Sequence, residues 1–511
     1  NGAQRAAVAA NGMSFLRGPA GAGKTTALQQ RILRLLADDE PAYTILTLVA
    51  ELDQRAHYLN ALHEAAIGPY ADLKIITFTS LAREMVQLFW PLVARPAGFE
   101  RPYLPPTFLS YDLAQLLMWR LVNDELTGGT YADIRLRPQQ IVSQLLDTLN
   151  RAALNRYSIV EAIERQISTW TGEPDHIRHL RQVEQTARQF RHICLTGNLL
   201  DMSLIIEVFD RHLLQHPEFS RYFSERFRHL LVDNVEEQTP AGQHFIRQMM
   251  GSTVSTTLSY DVGGGYKRFL SADPAAARQL AERCDRVIDF PTSFIATEPL
   301  AELGNLIDRY LVGSEGPVEQ AGAALLGTVE GRYRRDMIEG VADRVALLVD
   351  SGTPAGEIAL LAPYLDGALH FSLTNALKER GIPYYVYRRR SSPREEPRIR
   401  AWLTWLALAH PHWGVRPSEY DVAEALALSI DGLDPARGAL LAAELYSPAT
   451  AQLQPGDSLN EELQERVGLE MVALVDQLRE WLLAAGDQYP VDTFLYRLFN
   501  DLLARSPYRP E

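Results

Sequence analysis

The sequence predicts an α/β protein built on parallel sheets, with helical insertions. Three observations predict it. The run Gly18-Pro19-Ala20-Gly21-Ala22-Gly23-Lys24-Thr25-Thr26 has P-loop spacing: two glycines separated by four residues, then Lys and Thr. Next, strand-like segments at residues 13–17, 43–49 and 74–78 alternate with helical patterns, as parallel sheets with crossover helices require. Finally, a nearly all-helical stretch over residues 107–196 gives way to renewed strand character at 229–232 and 253–258. The first sheet is therefore expected to be completed by chain that returns to it.

Each element has a local reason. Residues 13–17 read as a short buried strand entering the loop. From Thr26 onward, Leu28, Ile32, Leu35 and Leu36 fall at helical spacing on one face. A helix is expected over 53–66 between the second and third strands. The Pro/Arg-rich stretch 95–106 breaks the alternation. A second α/β section is expected from about residue 285, with a strand at 357–361, a helix at 365–380, the turn Gly381-Ile382-Pro383 and a strand at 384–387. Beyond about residue 412 the pattern is helical again. This order divides the chain into a first α/β domain (1–95 and 197–284) interrupted by a helical insertion (96–196). The first half of a second α/β domain (285–411) and its own helical insertion (412–511) follow.

At 511 residues the chain exceeds a single core. Its formal net charge of −14 excludes a uniformly basic nucleic-acid face, though not local strand contacts made by stacking and backbone donors. No apolar run reaches membrane-spanning length; the nearest, 401–409, ends at His410-Pro411. Cys194 and Cys284 stand alone, too few for a zinc or iron–sulfur site, and fit a reducing cytoplasm. The chain opens on Asn1, so a fragment of a longer protein is expected.

The loop carries the clearest chemistry. Glycines let successive backbone N–H groups curl around a phosphate, and the following helix adds its positive dipole end. Lys24 is expected on the β- and γ-phosphates and Thr25 on a bridging Mg²⁺, so Gly18 through Thr26 form a nucleoside triphosphate site. Asp233, at the end of the apolar run Leu230-Leu231-Val232, is placed to hold the same metal. Gln4, just before the first strand, has an amide able to pair with donor and acceptor of an adenine edge. Thr77-Phe78-Thr79-Ser80 admits two readings: phosphate contact and base stacking on a strand, or a buried ring beside a helix cap. Arg388, Arg389 and Arg390, with Arg394, Arg398, Arg400 and nearby tyrosines, are the densest basic cluster. They read equally as a nucleic-acid contact or as a solvated loop.

Taken together, these residues resemble the UvrD/PcrA/Rep type of superfamily 1 DNA helicase, whose motor domains are RecA-like. Gln4 matches that family's Q motif and Gly18–Thr25 its motif I. The run from Thr77 to Ala82 looks like the TFHSLA motif, with Thr79 where histidine is usual. Residues 198–204 resemble the DFDDLL segment, and Leu231-Val232-Asp233-Asn234-Val235-Glu236-Glu237 falls at motif II. Residues 357–364 and 380–385 look like the opening of the second motor domain.

The resemblance implies ATP with Mg²⁺, single-stranded DNA, 3′→5′ movement, and a role in DNA repair or recombination with other repair proteins as possible partners. It implies no membrane partner and a cytoplasmic location. It also exposes departures. The motif II glutamate is Asn234, and an amide cannot take a proton; Glu236 or Glu237 would have to substitute. Motif III, at residues 261–269, keeps Asp261, Tyr266 and Arg268 but has no glutamine. The motif IV arginine has no counterpart between Arg286 and Arg309, and the chain stops at Glu511, before motifs V and VI. By resemblance Lys24, Asp233, Glu236, Glu237 and Arg268 would carry catalysis, and Thr77–Ser80 with Arg388 and Arg389 would hold the strand. The alternative is a hydrolysis-impaired, helicase-like protein that binds ATP and DNA as a scaffold.

Overall fold

The computed structural model describes residues 2–65, 70–131, 134, 136–312, 327–387, 396–486 and 489–504. It divides into two compact units, residues 1–326 and 327–511.

The first unit is organised by a six-stranded sheet. Its strands are β1 (Gly12–Gly18), β2 (Ile45–Val49), β3 (Lys74–Thr77), β6 (His229–Val232), β7 (Ser255–Asp261) and β8 (Arg286–Asp289). They lie in the order β3-β2-β6-β7-β1-β8, and every pairing is parallel. Two further strands, β4 (Thr107–Phe108) and β5 (Leu199–Leu200), pair with each other outside it.

The strand residues alternate between two apolar clusters, as a pleat buried on both faces demands. Phe15, Leu46, Leu48, Ile76, Leu230 and Val232 face one cluster. Leu16, Ile45, Val49, Ile75 and Leu231 face the other. Helices α1 (Gly2–Ala9), α2 (Lys24–Ala37) and α3 (Gln54–Glu64) cover the second face. On the first face lie α4 (Phe78–Leu88) and the helices Met202–Val208 and Pro240–Met249.

Between β4 and β5 the chain is helical: Tyr111–Thr127, Pro138–Leu154, Ile159–Thr169 and Asp175–Gly197. Asn198 closes the last of these with φ +53, and its side chain donates to the carbonyls of Arg101 (2.6 Å) and Leu104 (3.1 Å). The chain thus leaves and re-enters at one clasped neck. This insertion does not have a core of its own. Met118, Leu145, Leu149 and Phe190 belong to the same cluster as Phe15 and Leu46 of the sheet.

Two sequence expectations are corrected here. The division at 284/285 falls just before β8, which pairs with β1 over Ser14–Arg17. The chain therefore stays on the first sheet as far as Asp289. The strands expected at 357–361 and 384–387 are not formed. Glu357 ends a short 3-10 turn, and the rest of both segments has no regular secondary structure, with Leu361 and Tyr385 almost fully exposed. An extended segment becomes a strand only through a hydrogen-bonded neighbour, and none among the described residues pairs with either.

Among its described residues the second unit has helices and one two-stranded ladder, of Tyr446–Ser447 with Gln452–Leu453. Helices Arg334–Asp350 and Gly367–Glu379 pack through Ile338, Ala342, Val345, Ala376 and Leu377. A larger cluster, centred on Trp405, Val422, Leu441, Val475 and Leu478, joins the helices beyond Pro397.

Candidate nucleotide site

Three neighbouring strands deliver the site to one edge of the sheet. The phosphate loop follows β1, Asp261 ends β7 and Asp233 follows β6. Carboxyl ends of adjacent parallel strands are where open α/β sheets bind ligands. The loop turns through Gly21 (φ +73) and Gly23 (φ +83), a backbone region open to glycine at no steric cost.

Lys24 is the first residue of α2 and is 4% exposed. Its ammonium donates to the carbonyls of Gly18 (2.9 Å) and Pro19 (2.7 Å) and lies 2.5 Å from Asp261 Oδ1. Thr25 Oγ1 donates to Asp233, 3.0 Å from Oδ2 and 3.2 Å from Oδ1. Gln4 Nε2 reaches the Gly23 carbonyl at 3.4 Å, which sets its amide over the loop.

Asp233 is buried and saturated. It accepts from Ser259 Oγ (2.6 Å) and Tyr58 OH (2.8 Å) as well as Thr25. Burial raises its carboxyl above the usual range, while those hydrogen bonds pull the other way. Burial and the neighbouring Asp233 carboxylate push the Tyr58 phenol well above its ordinary value. Tyr58 therefore stays a donor.

Asn234 follows in the left-handed region, φ +51, where asparagine is better tolerated than most side chains. Its N–H donates to Ser259 Oγ (3.0 Å) and its Oδ1 accepts from Gln54 Nε2 (3.0 Å). Its Nδ2 donates to Glu236 Oε1 at 3.0 Å. Glu236 is 1% exposed, and its Oε2 accepts from the Asp261 N–H (3.0 Å). Burial pushes its carboxyl up to about 7 against the pull of these two donors. Glu237 accepts from the Gly265 N–H at 3.2 Å. Asn234 thus fills the place of the expected acid and hydrogen-bonds to the carboxylate two residues on.

Other expected site residues lie elsewhere. Phe78 is 4% exposed, packed against Phe209 and Phe245 in the core, so it is not a stacking platform. Thr77 caps α4 through Ser80 N, and its hydroxyl also bonds to those of Thr79 and Ser80. Of the two readings of this run, the structure has the buried ring beside a helix cap. Arg268 lines a pocket with Arg151 and Asn155 of the helical insertion rather than meeting the phosphate loop. Arg388 and Arg389 lie outside the described residues.

Sequence reasoning missed the segment after β8. Phe290 N donates to Arg17 O (2.7 Å), Ser293 Oγ to Ala20 O (2.8 Å) and Phe294 N to Gly21 O (3.0 Å). Residues 290–294 therefore strap the phosphate loop. Tyr58, Gln54 and Ser259 were missed as well; their only signal is an unremarkable polar residue in a helix or strand.

The donor set fits Mg²⁺ held jointly with a triphosphate. Thr25 and Asp233 converge as hard oxygen ligands, and such sites take few protein ligands because phosphates and water supply the rest. Among the described residues no group of three or more His, Cys, Asp or Glu forms a protein-only metal cage.

A parallel sheet, a phosphate loop on its edge and a carboxylate aimed at the loop threonine define a P-loop nucleoside triphosphatase fold. The particular family follows from comparison. The family model described as the UvrD/REP helicase N-terminal domain matches residues 1–259. The chain belongs to the UvrD/REP helicase family. It is 21% identical over 404 residues to ATP-dependent DNA helicase UvrD2 of Mycobacterium tuberculosis, covering 75% of this chain and 54% of that protein. It is 25% identical over 403 residues to one component of the ATP-dependent helicase/deoxyribonuclease of Geobacillus thermodenitrificans, covering 73% of this chain and 32% of that protein. The chain thus spans about half the length of the UvrD2 relatives it matches.

Proposed function

We propose that this chain is the nucleotide-binding part of an ATP-dependent DNA helicase or translocase that moves 3′→5′ on single-stranded DNA in repair or recombination. The observation that carries the reading is the convergence of Lys24, Thr25 and Asp233 on the edge of the β6-β7-β1 strands. On this reading the backbone N–H groups of residues 18–25 cradle the phosphates, and Lys24 turns from Asp261 onto the β/γ oxygens. Thr25 and Asp233 would hold Mg²⁺, which when bound would supply positive charge against the phosphate oxygens. Gln4 reads the adenine edge. Glu236, with its carboxyl near neutrality, takes the proton of the attacking water in place of the missing motif II glutamate, and Asn234 orients it. Residues 1–95 and 197–284, extended through β8, make the first motor domain around the insertion at 96–196. Residues 285–411 beyond β8, with the helical insertion at 412–511, belong to the second. Arg388 and Arg389 are the outlying strand contacts. The setting is cytoplasmic, with other repair proteins as partners.

A second reading is favoured by one observation. Asn234 cannot act as a base, and the Glu236 oxygens are already committed to Asn234 and the Asp261 N–H. A protein that binds ATP and DNA but hydrolyses poorly, acting as a scaffold in a repair complex, has the same geometry.

ATP hydrolysis by the complete gene product, with and without single-stranded DNA and beside a Lys24→Ala control, separates the two. DNA-stimulated turnover lost in the control supports the motor. Nucleotide binding without turnover, restored by Asn234→Glu, supports the scaffold.

A further inference from the structure

Two side-chain amides lie in series between the loop after β2 and Glu236. Gln54, half-buried at the start of α3, accepts through Oε1 from the Ala50 N–H (2.9 Å) and the Glu51 N–H (3.1 Å). Its Nε2 donates to Asn234 Oδ1 at 3.0 Å, and Asn234 Nδ2 donates in turn to Glu236 Oε1 at 3.0 Å.

The direction of this chain of bonds is set at its far end. The oxygen and nitrogen of an amide are nearly alike in size, so hydrogen bonds decide which way it points. Backbone N–H groups only donate, and two of them meet one atom of Gln54, which must therefore be its oxygen. The Gln54 NH₂ group then faces Asn234 and needs an oxygen there. That leaves the Asn234 NH₂ group for Glu236. Turning Asn234 over would set NH₂ against NH₂ at the first contact and a carbonyl oxygen against the Glu236 carboxylate at the second.

Glu236 depends on that donor. A carboxylate that takes a proton from water must be held ionised, and burial works against ionisation here. Its other oxygen has the Asp261 N–H, while the Asp261 carboxylate itself is paired with Lys24. An acceptor in place of the Asn234 NH₂ group would leave one carboxylate oxygen facing like partial charge in a buried setting, where such contacts are most costly.

We propose that Gln54 is a positioning residue for Glu236: anchored on the Ala50 and Glu51 N–H groups, it fixes the Asn234 amide so that a donor meets the carboxylate. Asn234 is then an adaptor that carries the polarity of the loop after β2 to the acid. The assignment rests on the reading of Glu236 as the base.

The test is steady-state ATP turnover by the complete gene product with single-stranded DNA, comparing Gln54→Leu, Gln54→Glu, Asn234→Ala, the Gln54→Leu/Asn234→Ala double variant and Glu236→Gln. Gln54→Leu should lower kcat about 5- to 10-fold, the loss expected of one hydrogen bond, and leave KM for ATP within about 2-fold of wild type. Gln54→Glu keeps an oxygen for the two backbone N–H groups but offers Asn234 an acceptor. It should lose at least as much kcat while melting near the wild-type temperature. A merely structural Gln54 would give the reverse order, with Gln54→Glu close to wild type in rate. Because Gln54 acts through Asn234, the double variant should turn over no more slowly than Asn234→Ala alone. Gln29→Leu removes a different amide bond to the same helix, at the His57 carbonyl (3.1 Å), and should change neither kcat nor KM. Wild-type kcat in both Gln54 variants, with Glu236→Gln still deficient, would overturn the positioning role and leave Glu236 as the base. Additive losses in the double variant would also overturn it, since Gln54 would then act by another route. Wild-type turnover in Glu236→Gln, or none in the unsubstituted protein, would overturn the reading of Glu236 and the positioning role with it.

Discussion

The ammonium of Lys24 sits 2.5 Å from the carboxylate of Asp261, so the lysine proposed as the loop's principal phosphate ligand is held by an internal anion. With the Gly18 and Pro19 carbonyls, Asp261 uses all the donors the ammonium has. A triphosphate must displace that contact and then tolerate the carboxylate left behind. Asp261→Asn should therefore tighten binding of a fluorescent ATP analogue, by about 3- to 10-fold for an ion pair that is partly exposed on the Asp side. Unchanged or weaker binding would show that Asp261 does not compete with nucleotide.

Glu236 gives a second expectation. If it takes the water proton, Glu236→Gln should lower ATP turnover by about 10²- to 10⁴-fold with little change in nucleotide affinity. The acid limb of the wild-type rate should lie near pH 7, where burial places this carboxyl. Glu237→Gln, which removes the charge but keeps an oxygen to accept from the Gly265 N–H, should have a much smaller effect on turnover. Equal effects of the two substitutions would remove the special role of Glu236.

The same group contributes to stability with a definite sign. Its folded value, about 7, lies above its ordinary 4.5, so the folded state disfavours the charged form. Its contribution is fully present below pH 4.5 and is lost as pH rises to about 7. In nucleotide- and metal-free buffer, Glu236→Gln should gain on the wild type across that window, by on the order of 3 kcal/mol. Denaturant midpoints at pH 5 and pH 8 measure it.

His229 titrates in the opposite sense. It opens β6, buried beside Ser255 Oγ (2.7 Å) and Glu40 (3.6 Å), and burial holds its imidazole below the usual 6.5 despite the pull of Glu40. Charging it costs the folded state, so stability is full above the ordinary value and falls as pH drops through 6.5 toward the lowered one. A non-titrating His229→Asn variant should show a flatter melting temperature between pH 7.5 and 5.5. A slope identical to wild type would assign the effect to another group.

A last substitution probes the strap. A Cβ on Gly18 would lie 2.2 Å from the Phe290 carbonyl oxygen, a backbone atom that cannot swing aside. Gly18→Ala should push residues 290–294 off the loop, lowering thermal stability and weakening nucleotide binding together. A fully folded, normally binding variant would show that the strap is not needed.

Much of this site was readable in the chain because its parts are local. The phosphate loop needs only strand, glycines and helix in succession, and Asp233 needs only an apolar run before it. What escaped depends on partners distant in sequence. That β8 joins β1 is fixed by pairing across some 270 residues, between Arg17 and Asp289 for instance, and nothing in residues 286–289 announces it. Tyr58 and Ser259 reach Asp233 only once the sheet is assembled. Phe78 carried a strand motif in sequence, yet the helices Met202–Val208 and Pro240–Met249 close over the face on which it lies. The expected strands at 357–361 and 384–387 failed for the same reason in reverse: a good local pattern met no neighbour among the described residues.

The continuity of core between sheet and insertion has a mechanical consequence. An arm hung from a neck as narrow as the β4–β5 ladder would swing freely if its interior were separate. Here Met118, Leu145 and Phe190 are packed in one apolar body with Phe15 and Leu46, and close-packed interiors yield in discrete steps, not by bending. The arm is bolted to the frame, and a load applied to it is carried to the base of the phosphate loop without slack.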